Sequence, residues 1–211
     1  MIQYRKATDT DLATISKLCA ESFLEYPYFK TTFYSGFKDK ESYEKFMNDM
    51  LYVHVKAYMR KHVCLLGEKD HQIVSASLLK HPTSHGIGLL DYILCGGINL
   101  LFQGNPANLI KFTSYMDAAH QACEEQKKDA WYLELLAVDR NSQGQNLGSK
   151  MIQECLKPFI KRKQGKELSL ITNTKLNCKF YEKNGFEIFD SRQIGTKNNP
   201  IDNWSFCMQL Q

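Results

Sequence analysis

A chain of 211 residues, 43% of them apolar, can bury one sizeable core but hardly two, so a single domain over residues 1–211 is expected. The formal net charge of +4 is mild, and the basic residues cluster only around Lys157, Lys161, Arg162, Lys163 and Lys166, which reads as the solvated end of a helix and not as a nucleic-acid surface. Seven cysteines, an odd number with no CxxC pair, speak against a disulfide framework or a zinc site and fit reduced thiols in a cytoplasmic protein.

Met1 opens a short strand, Ile2 to Lys6, and no signal peptide. Thr10-Asp11 then caps a helix whose apolar positions are Leu12, Ile15, Leu18 and Cys19. An aromatic stretch from Phe23 to Phe37 leads into a helix from about Ser42 to Arg60. Its Phe46, Met47, Met50, Tyr58 and Met59 recur at helical spacing and read as core. Two strands, His62 to Leu66 and Ile73 to Leu79, form a hairpin across a polar turn. The segment from His81 to Asp129 is mostly helical in pattern. Within it, Gly86 to Gly104 is apolar, but Asp91, Asn99 and Gln103 interrupt it, so buried or pocket-lining helices are expected and no stable membrane insertion. His81 and His85 lie in a loop without a carboxylate partner, which makes metal ligation there improbable. Strand Trp131 to Val138, helix Leu147 to Lys163, strand Glu167 to Thr172, helix Lys175 to Asn184 and strand Phe186 to Asp190 then alternate, implying crossovers and locally parallel strands. A strand from Trp204 to Leu210 closes the chain.

The most informative residues are WYLELLAVDRNSQGQNLGSK, 131–150: an apolar strand, a turn with glycine, then a helix start. Unpaired N–H groups and the positive end of the helix dipole converge at such a junction, so it suits a phosphate.

Gln143-Gly144-Gln145-Asn146-Leu147-Gly148 after LELLAV, followed by Asn177, Phe180-Tyr181 and Gly185-Phe186, resembles the two core motifs of the GNAT superfamily of N-acetyltransferases. Within that superfamily the chain looks most like small-molecule acetyltransferases of the puromycin-acetyltransferase type. The resemblance implies a mixed α/β (α+β) fold: a mostly antiparallel central sheet with one splayed parallel strand pair, flanked by helices. A helical insertion at about 81–129 would precede an acetyl-CoA-binding core at about 130–190. One position departs from the family pattern: residue 146 is Asn where Gly is usual, although Asn best tolerates unusual backbone angles among the other residues.

The resemblance also implies roles. Acetyl-CoA would be the co-substrate, with no metal. Backbone N–H groups of Gln143, Gly144, Gln145, Asn146, Leu147, Gly148 and Ser149 would cradle its phosphates. Main-chain groups of Leu136, Ala137 and Val138, together with Asn173 and Asn177, would hold the pantetheine arm. Tyr181 would protonate the departing thiolate. Glu134 is a charge within an otherwise apolar strand; alternation puts it on one face with Tyr132, Leu136 and Val138. Two roles are open for it, a base for the incoming ammonium or an ion pair that does not transfer protons. The acceptor side would be built from Phe23 to Phe37 and the insertion, where Tyr26, Tyr28, Tyr92 and Tyr115 offer hydroxyls. Such a pocket suits the primary amine of a small, rather apolar molecule. A protein acceptor, and a non-catalytic acyl-CoA sensor, are the alternatives. The protein is expected as a monomer or homodimer.

Overall fold

The computed structural model describes residues 1–210. In chain order the elements are β1 (Gln3–Lys6), α1 (Leu12–Phe23), α2 (Pro27–Phe33), α3 (Lys40–Lys61), β2 (Val63–Lys69), β3 (Gln72–Lys80), α4 (Leu89–Leu94), α5 (Pro106–Gln126), β4 (Trp131–Val138), α6 (Leu147–Lys150), α7 (Lys157–Arg162), β5 (Glu167–Thr172), α8 (Lys175–Lys183), β6 (Glu187–Thr196) and β7 (Asn199–Gln209). A π-helical stretch, Met151–Leu156, joins α6 to α7 into one continuous rod. The strands form one sheet in the order β1-β2-β3-β4-β5-β7-β6. Every neighbouring pair is antiparallel except β4 and β5.

Apolar periodicity decides which face each helix covers. On one face α1 and α3 bury Ile15, Leu51 and Val55 against Leu66, Leu78 and Ala137, and α5 sets Tyr115 and Ala119 against Ile201. On the other, the rod and α8 bury Ile152, Ile160 and Tyr181 against Leu79, Leu133, Leu168 and Phe206. Burial of this kind contributes about 25 cal/mol per Å² of apolar surface. The start of α1 is fixed differently from the expected Thr10-Asp11 cap. The Asp11 carboxylate accepts the Thr8 N–H at 2.8 Å and is gripped by both terminal nitrogens of Arg5, which also bonds Glu68. All seven cysteines are buried free thiols.

Two sequence expectations change. Strand Phe186 to Asp190 extends to Thr196 and pairs along its length with a β7 that begins at Asn199, not Trp204. β6 is an edge strand with most side chains in solvent, so it carries no apolar alternation to betray it. Of the two readings of the Gly86 to Gly104 segment, pocket-lining holds and buried does not: α4 and the 3₁₀ turn at Gly97–Phe102 keep Leu89, Leu90, Leu94 and Phe102 exposed, with only Cys95 and Leu100 inside, while Asp91, Leu94 and Cys95 line a pocket. Among the described residues no helix is long and apolar enough to cross a membrane.

Candidate active site

The turn after β4 is built for an anion. Gly144 (φ +79°) and Asn146 (φ +61°) both lie in the left-handed region, which turns successive N–H groups the same way. Among the described residues, the backbone N–H groups from Gly144 to Ser149 have no hydrogen-bond partner. They sit at the mouth of α6, where the helix dipole adds positive potential. Asn146 is the residue other than glycine best suited to this geometry, so the departure at 146 leaves the cradle open. Gly148 serves packing: a Cβ there would meet Phe180 Cζ at 3.0 Å. The lysine cluster at 157–166 is at the opposite end of the rod, roughly 20 Å away at the usual helical rise.

Beside the cradle the sheet opens. β4 and β5 pair only at Trp131–Leu168 and Tyr132–Ser169, so from Leu133 onward they splay apart. β4 remains bonded to β3 on its other side as far as Val138. Main-chain groups of Leu136, Ala137 and Val138 therefore border a wedge with a free strand edge, able to accept an extended amide-bearing arm as an added strand would be accepted. A strand N–H at this edge can also stabilise an oxyanion.

Tyr181, on α8, is buried on the face of the sheet that carries the rod, against Leu133 and Leu168 of the two splaying strands. Its ring packs against Phe186 and Phe206 at centroid distances of 5.4 and 6.0 Å. Burial raises its pKa, and the nearby Tyr26 adds to this, so the phenol stays protonated as a general acid must. Among the described residues its hydroxyl has no hydrogen-bond partner. Tyr26 closes the far side, with its hydroxyl within 3.0 Å of Thr172 Oγ1 and accepting the Asn173 N–H at 2.8 Å. Asn177 adjoins that hydroxyl at the start of α8, where its own N–H bonds Thr174 Oγ1. Asn173 is engaged elsewhere: its side-chain amide donates to Asp202 O and Asn203 Oδ1 of β7 at 2.8 and 3.1 Å.

Glu134 owes its position to a bulge. Leu78 pairs with Leu135 but Leu79 with Leu133, so Glu134 is the extra residue. The slip breaks the alternation expected from sequence. Leu136 joins the rod side with Leu133, while Glu134 and Leu135 turn together toward α3. There Glu134, 13% exposed, accepts a hydrogen bond from the Tyr58 hydroxyl at 3.3 Å and has His54 Nε2 3.7 Å away. His54 Nδ1 lies 3.1 Å from the Tyr92 hydroxyl, contributed by α4. Burial lowers the His54 pKa, with Glu134 opposing, which favours the neutral ring. Tyr58 is held protonated chiefly by burial and by Glu134 beside it.

Glu134 and Tyr181 thus approach the wedge from opposite faces of the sheet. Tyr58 is the core residue its spacing suggested, with its ring buried among α3's apolar neighbours and its hydroxyl turned to Glu134. His54 escaped notice altogether. The available signal was the run His54, Tyr58, His62, three polar rings spaced four apart on one face of a helix otherwise lined with apolar residues.

A family model described as an acetyltransferase (GNAT) domain matches residues 108–188. No curated protein matches the sequence. Solved structures match end to end. The PaiA N-acetyltransferase of Thermoplasma acidophilum, in complex with coenzyme A, is 16% identical with a TM-score of 0.54, covering 99% of each chain. A Drosophila melanogaster polyamine N-acetyltransferase that forms N-acetylagmatine is 12% identical with a TM-score of 0.54, covering 100% of both chains. The ribosomal-protein-S18-alanine N-acetyltransferase of Escherichia coli is 12% identical with a TM-score of 0.51, over 100% of this chain and 95% of that one. At such identities the likeness is one of fold, and the acceptors named for the last two, a polyamine and a ribosomal-protein alanine, differ in kind. Residues 108–188 thus match the acetyltransferase (GNAT) domain model, and the sheet and its helices have the fold of solved GNAT acetyltransferases.

Proposed function

We propose that the protein moves an acetyl group from acetyl-CoA to the primary amine of a small molecule by direct attack on the thioester. The observation that carries this reading is the placement of Glu134. A carboxyl group enclosed by Tyr58, His54 and Tyr92, across the wedge from a protonated tyrosine, is a site for one ammonium group. Glu134 takes a proton from the incoming ammonium, and the free amine attacks the thioester carbon. A β4 edge N–H steadies the oxyanion, Tyr181 gives its proton to the leaving thiolate as the carbon–sulfur bond breaks, and the extra proton lost from the new amide nitrogen restores the phenol. The cradle from Gly144 to Ser149 holds the phosphates, the expected Gln143 N–H being bonded to Arg140 O instead, and Asn177 holds the pantetheine arm, while Asn173 supports the site through β7.

The enclosure of Glu134 by an α3–α4 wall favours a small acceptor over a peptide tail, and the helices between β3 and β4 support the puromycin-acetyltransferase-type placement. The unbroken sheet from β1 to β6 supports treating residues 1–211 as one domain. Its proposed setting is the cytoplasm, as a monomer or homodimer. The test is calorimetric titration with acetyl-CoA followed by thiol release against a panel of primary amines. Tyr181→Phe should slow turnover about 10²-fold or more while acetyl-CoA affinity stays the same. Acetyl-CoA binding without release for any amine would instead favour the sensor reading.

A further inference from the structure

Tyr132 leaves something unexplained beside the Glu134 site. It is 6% exposed, and its hydroxyl is buried without a hydrogen-bond partner. A buried hydroxyl left unpaired costs about 1–3 kcal/mol, so such a group marks a place where a ligand atom belongs. Burial keeps this phenol protonated and hence a donor.

Tyr132 lines a cavity of about 220 Å³ with Lys80, His120, Glu124, Lys127 and Lys128, closed below by Ser169. Lys80 Nζ stands 5.6 Å from the centre of the Tyr132 ring, and the His120 ring meets the same tyrosine at 5.1 Å. Lys127 is held by Glu167 at 3.0 Å. Among the described residues Lys80 and Lys128 are in no salt bridge, and they outnumber Glu124, the one acidic side chain of the lining. The cavity therefore offers two free cations and an unused donor, a set that suits an anion.

Its position relative to Glu134 gives the anion a purpose. Tyr132 and Glu134 are two residues apart on β4, and both turn toward the face that carries α3 and α5. Two strand residues span about 6–7 Å, the length of a short alkyl chain.

We propose that this cavity is a subsite for an anionic group on the acceptor, so that the substrate is a short amine ending in a carboxylate or phosphate, its ammonium at Glu134 and its anion between Lys80, Lys128 and the Tyr132 hydroxyl. The inference rests on the acetyltransferase reading above and narrows its substrate class away from plain apolar amines. Both anions share the chemistry that the cavity recognises, and the assay separates them.

The test compares γ-aminobutyrate, aminopropyl phosphate and butylamine as acceptors, with wild-type protein, Lys80→Gln and Lys80→Arg, each first shown to bind acetyl-CoA as the wild type does. One or both anionic amines should be preferred to butylamine. Lys80→Gln should reduce that preference in kcat/KM about tenfold, and Lys80→Arg should largely restore it. Butylamine turned over as well as both anionic amines, or a preference unchanged in Lys80→Gln, overturns the subsite and leaves acetyl transfer standing. If no amine releases thiol, the acetyltransferase reading fails by itself. Titration with propyl phosphate then decides for the cavity: binding that Lys80→Gln abolishes supports the anion site, and no binding, or equal binding by both proteins, overturns it.

Discussion

Glu134 is the residue on which the proposed chemistry turns, and its two possible roles predict different kinetics. As a base it acts only as the amine becomes nucleophilic, so Glu134→Gln should lower kcat about 10²-fold or more at neutral pH. A carboxyl group that only binds the ammonium would show instead as a raised KM with kcat intact. Steady-state rates for the variant at saturating acetyl-CoA separate the two outcomes. Tyr58 can be tested beside it. Tyr58→Phe keeps the ring against His62 and removes only the bond to Glu134, so a modest loss in kcat/KM of about threefold to tenfold is expected, with the melting temperature nearly unchanged. A phenylalanine variant as fast as the wild type would remove Tyr58 from the site.

The cradle and the bulge are short elements with opposite legibility. QGQNLG can be read because its proposed function resides in its own backbone: a glycine, a left-handed Asn and a helix start within seven residues. Its tolerance has a sharp limit. Asn146→Gly should bind acetyl-CoA as well as the wild type. Asn146→Val forces a β-branched side chain to φ +61°, at a cost of about 1–2 kcal/mol, and should weaken acetyl-CoA binding roughly tenfold by calorimetry. Equal affinity for the valine variant would mean that the turn relaxes without harm to the cradle. The bulge at Glu134 has no such local signature. Nothing in WYLELLAV distinguishes a regular strand from one with an extra residue, since the slip is defined only by pairing with Leu78 and Leu79.

The whole molecule is tuned to neutral pH by two buried histidines. His62 is 8% exposed and neither ring nitrogen has a partner. Burial lowers its pKa; Lys80 and Lys61 lower it further, and Glu134 and Asp91 oppose them. His54 is lowered likewise. The unfolded chain takes up these protons near pH 6.5 while the folded one resists, so this stability is present above about pH 6.5 and is lost as pH falls below it. The melting temperature should therefore drop between about pH 7.5 and pH 5.5, and His62→Phe should flatten that drop. Each kcal/mol lost corresponds to about 2–4 °C for a chain of this size. An equal pH dependence in the variant would exclude His62 as a source. Asp11 works in a lower range: the Arg5 hydrogen bonds hold its pKa down, and its contribution disappears only as pH falls below the usual carboxylate range.

What residues 131–188 encode by themselves is the strand, the turn proposed to cradle phosphate, the following helices and the tyrosine on α8, because each depends on neighbours within one or two turns of chain. The order of elements was legible for the same reason, apart from the short α2 inside the aromatic stretch and the extension of β6, whose solvent-facing residues carry no periodicity. The company that Glu134 keeps depended on tertiary structure. His54 and Tyr58 are some eighty residues upstream, Tyr92 is on a short helix, and the Lys80 cavity exists only where α5 crosses the start of β4. These groups meet because α3 docks on the sheet and a bulge turns one carboxyl group toward it, and such long-range pairing leaves no trace in local sequence.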